Sequence, residues 1–163
     1  MTKQFYKYQG TGNDFVVFDN RELNFDKKNV QLIHRLCDRK FGIGADGLIL
    51  LEPSKTSDFT MVYFNADGTL GSMCGNGGRC IVAFAHFLGI INSSTQFDAY
   101  DGVHHATFHD GVVSLQMKNV NKIEIYDQHV FMDTGSPHHV QCVKNLGDFD
   151  VHNEGKKIRN GMP

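Results

Sequence analysis

The chain has 163 residues, 40% of them hydrophobic, and a formal net charge of −2. That is apolar material for one domain core and part of a second, and a balance so near neutrality gives no case for nucleic acid or a membrane surface as partner. Met1 leads into TKQFYKYQG without an apolar stretch, and no window approaches the roughly 18 unbroken apolar residues of a spanning helix, so a soluble, cytoplasmic protein is expected. Four cysteines, Cys37, Cys74, Cys80 and Cys142, in a chain with no secretory signal read as reduced thiols, and without a C-x-x-C pair they give no structural zinc.

In chain order, the first strands fall in QFYKY and DFVVFD. They are joined through GTGNDF (residues 10–15), whose residue types suit a turn with Asn13 in the left-handed conformation. An amphipathic helix follows over about residues 28–39, with Leu32, Ile33, Leu36 and Cys37 on one face and a stop at Gly42. GIGADG (residues 42–47) fits the dinucleotide pattern G-x-G-x-x-G literally, but it follows a helix and enters a strand. That is the reverse of the context a pyrophosphate site needs, and the reading is rejected. Strands resume in GLILLE and DFTMVYFN, then in TQFDAY, VHHATFH and GVVSLQM. The pairs Asp67-Gly68, Asp101-Gly102 and Asp110-Gly111 are tight-turn signals, and the last two predict a meander. In VHHATFH, His105 and His109 share one face and His104 takes the other; all three read as solvated strand histidines rather than a metal site.

A second helix, over about residues 77–88, is apolar all the way round apart from Arg79 and His86, so it must be enclosed, and a meandering sheet wrapped about it would do so. After about Asn119 the strand pattern returns in KIEIYDQHVFMDTG and HHVQCVK, followed by polar residues up to Pro163. The expected organisation is therefore an α+β first domain over residues 1–119 and the beginning of a second over 120–163.

The stretch MCGNGGRC (residues 73–80) is the most informative. Gly75, Asn76, Gly77 and Gly78 can hold positive φ angles and present bare N–H groups. They lead into the enclosed helix, so Cys74 stands just before its N-terminus, where unpaired N–H groups and the macrodipole stabilise a thiolate. Cys80 falls on a different face, inside the helix, and reads as core. Glycines so placed make sense where a ligand approaches the main chain. His138 and His139 in GSPHHV follow a proline turn, and their residue types alone leave catalysis and surface equally open.

Together, Y-x-G-T-G-N-D-F, F-G-I-G-A-D-G-L, F-N-A-D-G, M-C-G-N-G-G-R-C and T-G-S-P-H, in this order from Phe5 to about Arg159, resemble the diaminopimelate epimerases. The resemblance implies two similar domains, each a barrel-like, mostly antiparallel sheet around a central helix, and a cofactor-independent amino-acid epimerase acting on LL- and meso-diaminopimelate. In that family a thiolate removes the α-proton and a second thiol returns one to the opposite face. No metal and no pyridoxal phosphate is implied; the partner is a small amino-acid substrate, and a homodimer is one assembly open to it. Carried over by position, Cys74 is a catalytic cysteine and His138 helps to orient it. Gly75 and Asn76 are donors to the substrate carboxylate, and Asn13, Asn65 and Ser136 are further substrate contacts. Many relatives have asparagine at the place of Ser136, and some have a substrate-contacting glutamine at that of Gly47.

Members of the family continue further, with a second catalytic cysteine in its own glycine-rich turn. This chain is thus expected to be an N-terminal portion that holds half of an active site and is inactive alone. Cys142 does not supply the missing thiol, because VQCVK reads as strand without a glycine turn. Two other readings stand beside this one. One is another isomerase of the same fold, such as a proline-racemase-like or phenazine-pathway enzyme, against which the GNDF and NADG contexts speak. The other is a non-catalytic binding module.

Overall fold

A computed structural model describes residues 4–161. The chain divides into two compact units: residues 4–119 with Thr134–Ser136, and Val120–Asp133 with residues 137–161.

The first unit is built on a seven-stranded sheet whose spatial order follows the chain: β1 (Tyr6–Gly10), β2 (Asn13–Asp19), β3 (Gly47–Glu52), β4 (Phe59–Asn65), β5 (Ser94–Ala99), β6 (Gly102–His109) and β7 (Val112–Leu115). Neighbours are antiparallel except β2–β3 and β4–β5, and each parallel pair is joined through a helix: α1 (Val30–Cys37) and α2 (Gly75–Phe87). Crossovers between parallel strands are right-handed almost without exception. Because β4 and β5 run opposite to β2 and β3, the same handedness sends the two helices to opposite faces.

The core shows the consequence. Val16, Phe18, Leu48 and Leu50 pack with Ile33 and Cys37 of α1, while Phe15, Val17, Ile49 and Leu51 pack with Cys80, Ile81, Phe84 and Ala85 of α2. Strand β3 is therefore buried along its whole length, which is why GLILLE is apolar without alternation. Helix α2 touches β1 and β7 at the two edges as well as strands between them, so the sheet curls about it as a half-barrel. The fold is α+β, with mixed rather than purely antiparallel pairing.

Several local expectations are corrected. Helix α1 is shorter than its periodicity suggests: Asn29 caps it, accepting from the Leu32 N–H at 2.9 Å, and after Cys37 the Asp38 carboxylate takes the Lys40 and Phe41 N–H groups instead. Leu32 stays exposed. Helix α2 begins two residues early, so Gly75, Gly77 and Gly78 are helical, and none has positive φ. In the first hairpin the left-handed residues are Thr11 (φ 55) and Gly12 (φ 84), and Asn13 is the first residue of β2. Between β6 and β7, Asp110 (φ 50) and Gly111 (φ 80) form the two-residue turn that Asp-Gly predicts. Between β5 and β6 the turn residues are Tyr100 and Asp101, one place earlier than expected.

His104 is not solvated. It is buried, its Nε2 is 2.8 Å from Asp101 Oδ1, and it stacks on Phe97 with ring centroids 5.6 Å apart.

The second unit has a three-stranded antiparallel sheet in the order β10 (Pro137–Val140), β9 (Val130–Asp133), β8 (Ile123–Ile125). Cys142 lies beyond the end of β10 and is exposed. The polar stretch that follows, left without an element on sequence grounds, carries helix α3 (Val151–Gly161). Asp150 starts it, accepting from the Asn153 N–H at 3.1 Å, and Glu154 pairs with Lys157 at 2.6 Å one turn on.

Candidate active site

Cys74 is the N-cap of α2. Its backbone is extended, its carbonyl accepts from the Gly78 N–H at 2.8 Å, and its sulfur accepts from the Gly77 N–H at 3.4 Å. The sulfur thus faces the unpaired amides of the first turn, where negative charge is stabilised. Cys74 is half-buried.

The glycines that follow serve two different purposes. A Cβ on Gly77 would stand 3.0 Å from Met61 Cε and 3.2 Å from Ile49 Cδ1, and one on Gly78 would stand 2.8 Å from Leu115 Cδ2 and 2.9 Å from Met73 Cε. These two let the helix settle close to the sheet. At Gly75 a Cβ would meet nothing nearer than 3.6 Å. Gly75 alone is bare on a side that packing does not claim.

The turn between β1 and β2 lies against the start of α2: a Cβ on Gly10 would be 3.5 Å from Asn76 Cβ, and Thr11 Oγ1 is 3.4 Å from Asn76 Oδ1. Asn76 Oδ1 also accepts from Arg79 Nη2. With its oxygen engaged, the Asn76 amide has its N–H groups left to donate. Asn13, just past the same turn, shows the opposite polarity: its Oδ1 is buried and has no hydrogen-bond partner among the described residues. Asn65 closes β4, pairs in register with Gly47, and donates through Nδ2 to Thr69 Oγ1 at 3.2 Å, which leaves its amide oxygen to accept. Donors therefore gather at the helix start and acceptors at the sheet ends, a division that suits a zwitterion.

An ion-pair cluster anchors these sheet ends. Arg39 binds Asp14 and Asp46, each at 2.8 Å, and Lys7 binds Asp14 at 2.8 Å. The Arg39 guanidinium, with Lys7 and the Asp46 backbone N–H, holds the Asp14 carboxyl well below its ordinary range.

Of the expected site residues, Cys74, Gly75, Asn76, Asn13 and Asn65 all lie in the first unit, and the turn before Asn13 touches Asn76. Ser136 belongs to this unit too, and its hydroxyl is 3.0 Å from that of Ser72, two residues before Cys74. His138 is on β10 of the second unit, exposed and opposite Met132. Sequence reasoning passed over Tyr63. Its ring makes an edge contact with Phe15 at 5.9 Å between centroids, and burial, followed by the charge of Cys74, pushes its phenol up to about 12. Only the two glycines that make room for it, Gly47 and Gly71, could have signalled it.

A sequence model of the family described as diaminopimelate epimerase matches residues 5–140. The chain belongs to the diaminopimelate epimerase family. The diaminopimelate epimerase of Flavobacterium psychrophilum is 62% identical over 155 residues, covering 94% of this chain and 60% of that protein. That of Chlorobaculum tepidum is 44% identical over 160 residues, covering 93% and 62%. The chain thus spans about 60% of the length of these relatives. Among solved structures, a probable proline racemase from Agrobacterium radiobacter superposes with a TM-score of 0.68 at 18% identity, over 91% of this chain and 54% of that one. A hydroxyproline epimerase from Agrobacterium vitis gives 0.67 at 17% identity, over 90% and 53%. At such identities these likenesses concern the fold.

Proposed function

We propose that this chain carries one side of the active site of a diaminopimelate epimerase, in which the Cys74 thiolate exchanges a proton with the α-carbon of LL- or meso-diaminopimelate. The observation that carries the reading is the N-cap cysteine: its sulfur faces the first-turn amides of α2, and it stands among amide groups sorted into donors and acceptors.

An α-proton beside a carboxylate is a very weak acid, and its removal needs the developing charge to be met by fixed donors. Gly75, Asn76 and the free amides of the first turn supply them to the carboxylate. Asn13 and Asn65 accept from the ammonium, and between the two groups the α-hydrogen is turned to the sulfur. In this reading Ser136 is a further substrate contact and His138 orients the thiol. The proton for the opposite face comes from a second thiol, in the part of the family's length that this chain does not span, and the reaction uses no cofactor. On that account the 163 residues alone are inactive.

The test joins the full chain to the C-terminal residues of the Flavobacterium psychrophilum relative and assays LL-diaminopimelate in deuterated water. Expected are inversion and α-deuterium uptake by the joined protein, none by the chain alone, and loss by at least about a thousandfold with Cys74→Ala. Inversion by the chain alone, or a joined protein indifferent to Cys74→Ala, would overturn the reading.

A further inference from the structure

Gly47 opens β3 at the level where Phe15 of β2 and Asn65 of β4 are its register partners. It has no side chain, and the space is not empty. A Cβ there would fall 2.5 Å from Tyr63 Cε2 and 3.1 Å from Tyr63 Oη. On the other side, a Cβ on Gly71 would fall 2.3 Å from Tyr63 Cδ1 and 2.4 Å from Cε1. Two glycines thus flank one aromatic ring, and the absence of a side chain at 47 lets that ring swing across β3 to its edge contact with Phe15.

Side chains alternate along a strand, so Met61, Tyr63 and Asn65 share the face of β4 turned to α2. Met61 packs under Gly77, and Asn65 ends the row at the site. Tyr63 stands between them and packs, with Cys74, against the same core cluster. Its hydroxyl has no hydrogen-bond partner among the described residues, yet it is not sealed from solvent among the buried unsatisfied groups. A phenol with a half-buried ring wedged between two glycines and an accessible, unpaired oxygen is a rigid polar contact with little rotamer entropy left to lose.

We propose that Tyr63 is a substrate-positioning residue of this site, its hydroxyl taking the place that a side chain at position 47 would fill and hydrogen-bonding the amino-acid substrate beside Cys74. The proposal rests on the epimerase reading above. It makes the pair Gly47 and Tyr63 a single device: the glycine creates the room and the tyrosine brings the polar group from the neighbouring strand.

The joined protein described above supplies the test. Tyr63→Phe keeps the ring and removes only the oxygen, so melting should stay unchanged while kcat/KM falls roughly ten- to a hundredfold, mainly through KM, as for one hydrogen bond to a charged group. In a Cys74→Ala background, which binds without turnover, the 13Cζ resonance missing from the Tyr63→Phe spectrum should move when diaminopimelate is added. A Tyr63→Phe protein with parental KM and kcat, or a resonance that stays still while other signals titrate, would overturn the proposal and leave the epimerase reading standing. A joined protein that binds and inverts nothing would instead remove the reading on which the proposal rests.

Discussion

Cys37 and Cys80 are 3% and 4% exposed, and loss of water pushes each thiol up to about 11. Cys142 is open to solvent, without the helix start that faces Cys74. Alkylation at pH 8 should therefore label Cys74 first, Cys142 next, and Cys37 and Cys80 only as fast as the first unit opens. Peptide mapping against time gives the order, and labelling of Cys80 ahead of Cys74 would refute it. The two thiols lie six positions apart in one motif. What separates them is a helix that begins between them, with Cys74 at its cap and Cys80 inside it.

Within the elements, the glycines of α2 make a sharper experiment than its cysteines. Gly77→Ala or Gly78→Ala presses a Cβ onto Met61 and Ile49, or onto Leu115 and Met73, and should cost about 1–3 kcal/mol in chemical denaturation. Gly75→Ala meets only ordinary contacts and should be neutral or stabilising by up to about 0.5 kcal/mol. If Gly75 is kept bare for a ligand, its alanine variant in the joined protein should lose activity while its stability holds. Equal destabilisation at all three positions would mean that packing explains every glycine in the turn. The far end of α2 is ordinary by comparison: Gly89 (φ 69) donates to His86 O at 2.9 Å and Ile90 to Ala85 O at 2.9 Å, closing the helix with a glycine C-cap.

At the scale of the first unit, the cluster Lys7–Asp14–Arg39–Asp46 ties β1, β2 and the loop entering β3 into one corner beneath the candidate site. Asp14 titrates well below its ordinary value of 3.8 in the folded state, so the unfolded chain binds this proton first as the pH drops. The stability it contributes is complete above about pH 5, declines as the pH falls through 3.8, and is gone below the folded value. Arg39 is more than half exposed, which screens the pair, so Asp14→Asn should cost only about 1 kcal/mol at pH 7. The difference from the parent should shrink toward pH 3. A variant whose deficit is the same at pH 7 and pH 3 would show that the cluster holds this corner by packing or hydrogen bonding rather than by charge.

Strand and helix positions in the first unit were legible because its elements carry their own periods: GLILLE is continuous because β3 is covered twice, and the residues after Cys74 are apolar because the sheet curls about most of α2, leaving only its last turn, with Phe87, exposed. The turns were legible where Asp-Gly sits at the centre of a hairpin, and slipped by one at Tyr100-Asp101, where strand pairing outweighed the dipeptide. Helix α3 was missed because its pattern is polar and its start rests on a single capping aspartate. The motif around Cys74, and the family it points to, lay in the sequence. What the glycines do did not, since a glycine's letter is the same whether it admits a ligand, a neighbouring methyl group or a tyrosine ring. Nor was the burial of His104 or the place of Tyr63 beside Cys74 visible, because each depends on contacts between strands and helices far apart in the chain. Residue order determines periods, caps and turns; only packing in three dimensions decides which surfaces are filled and which polar groups are left to meet a ligand.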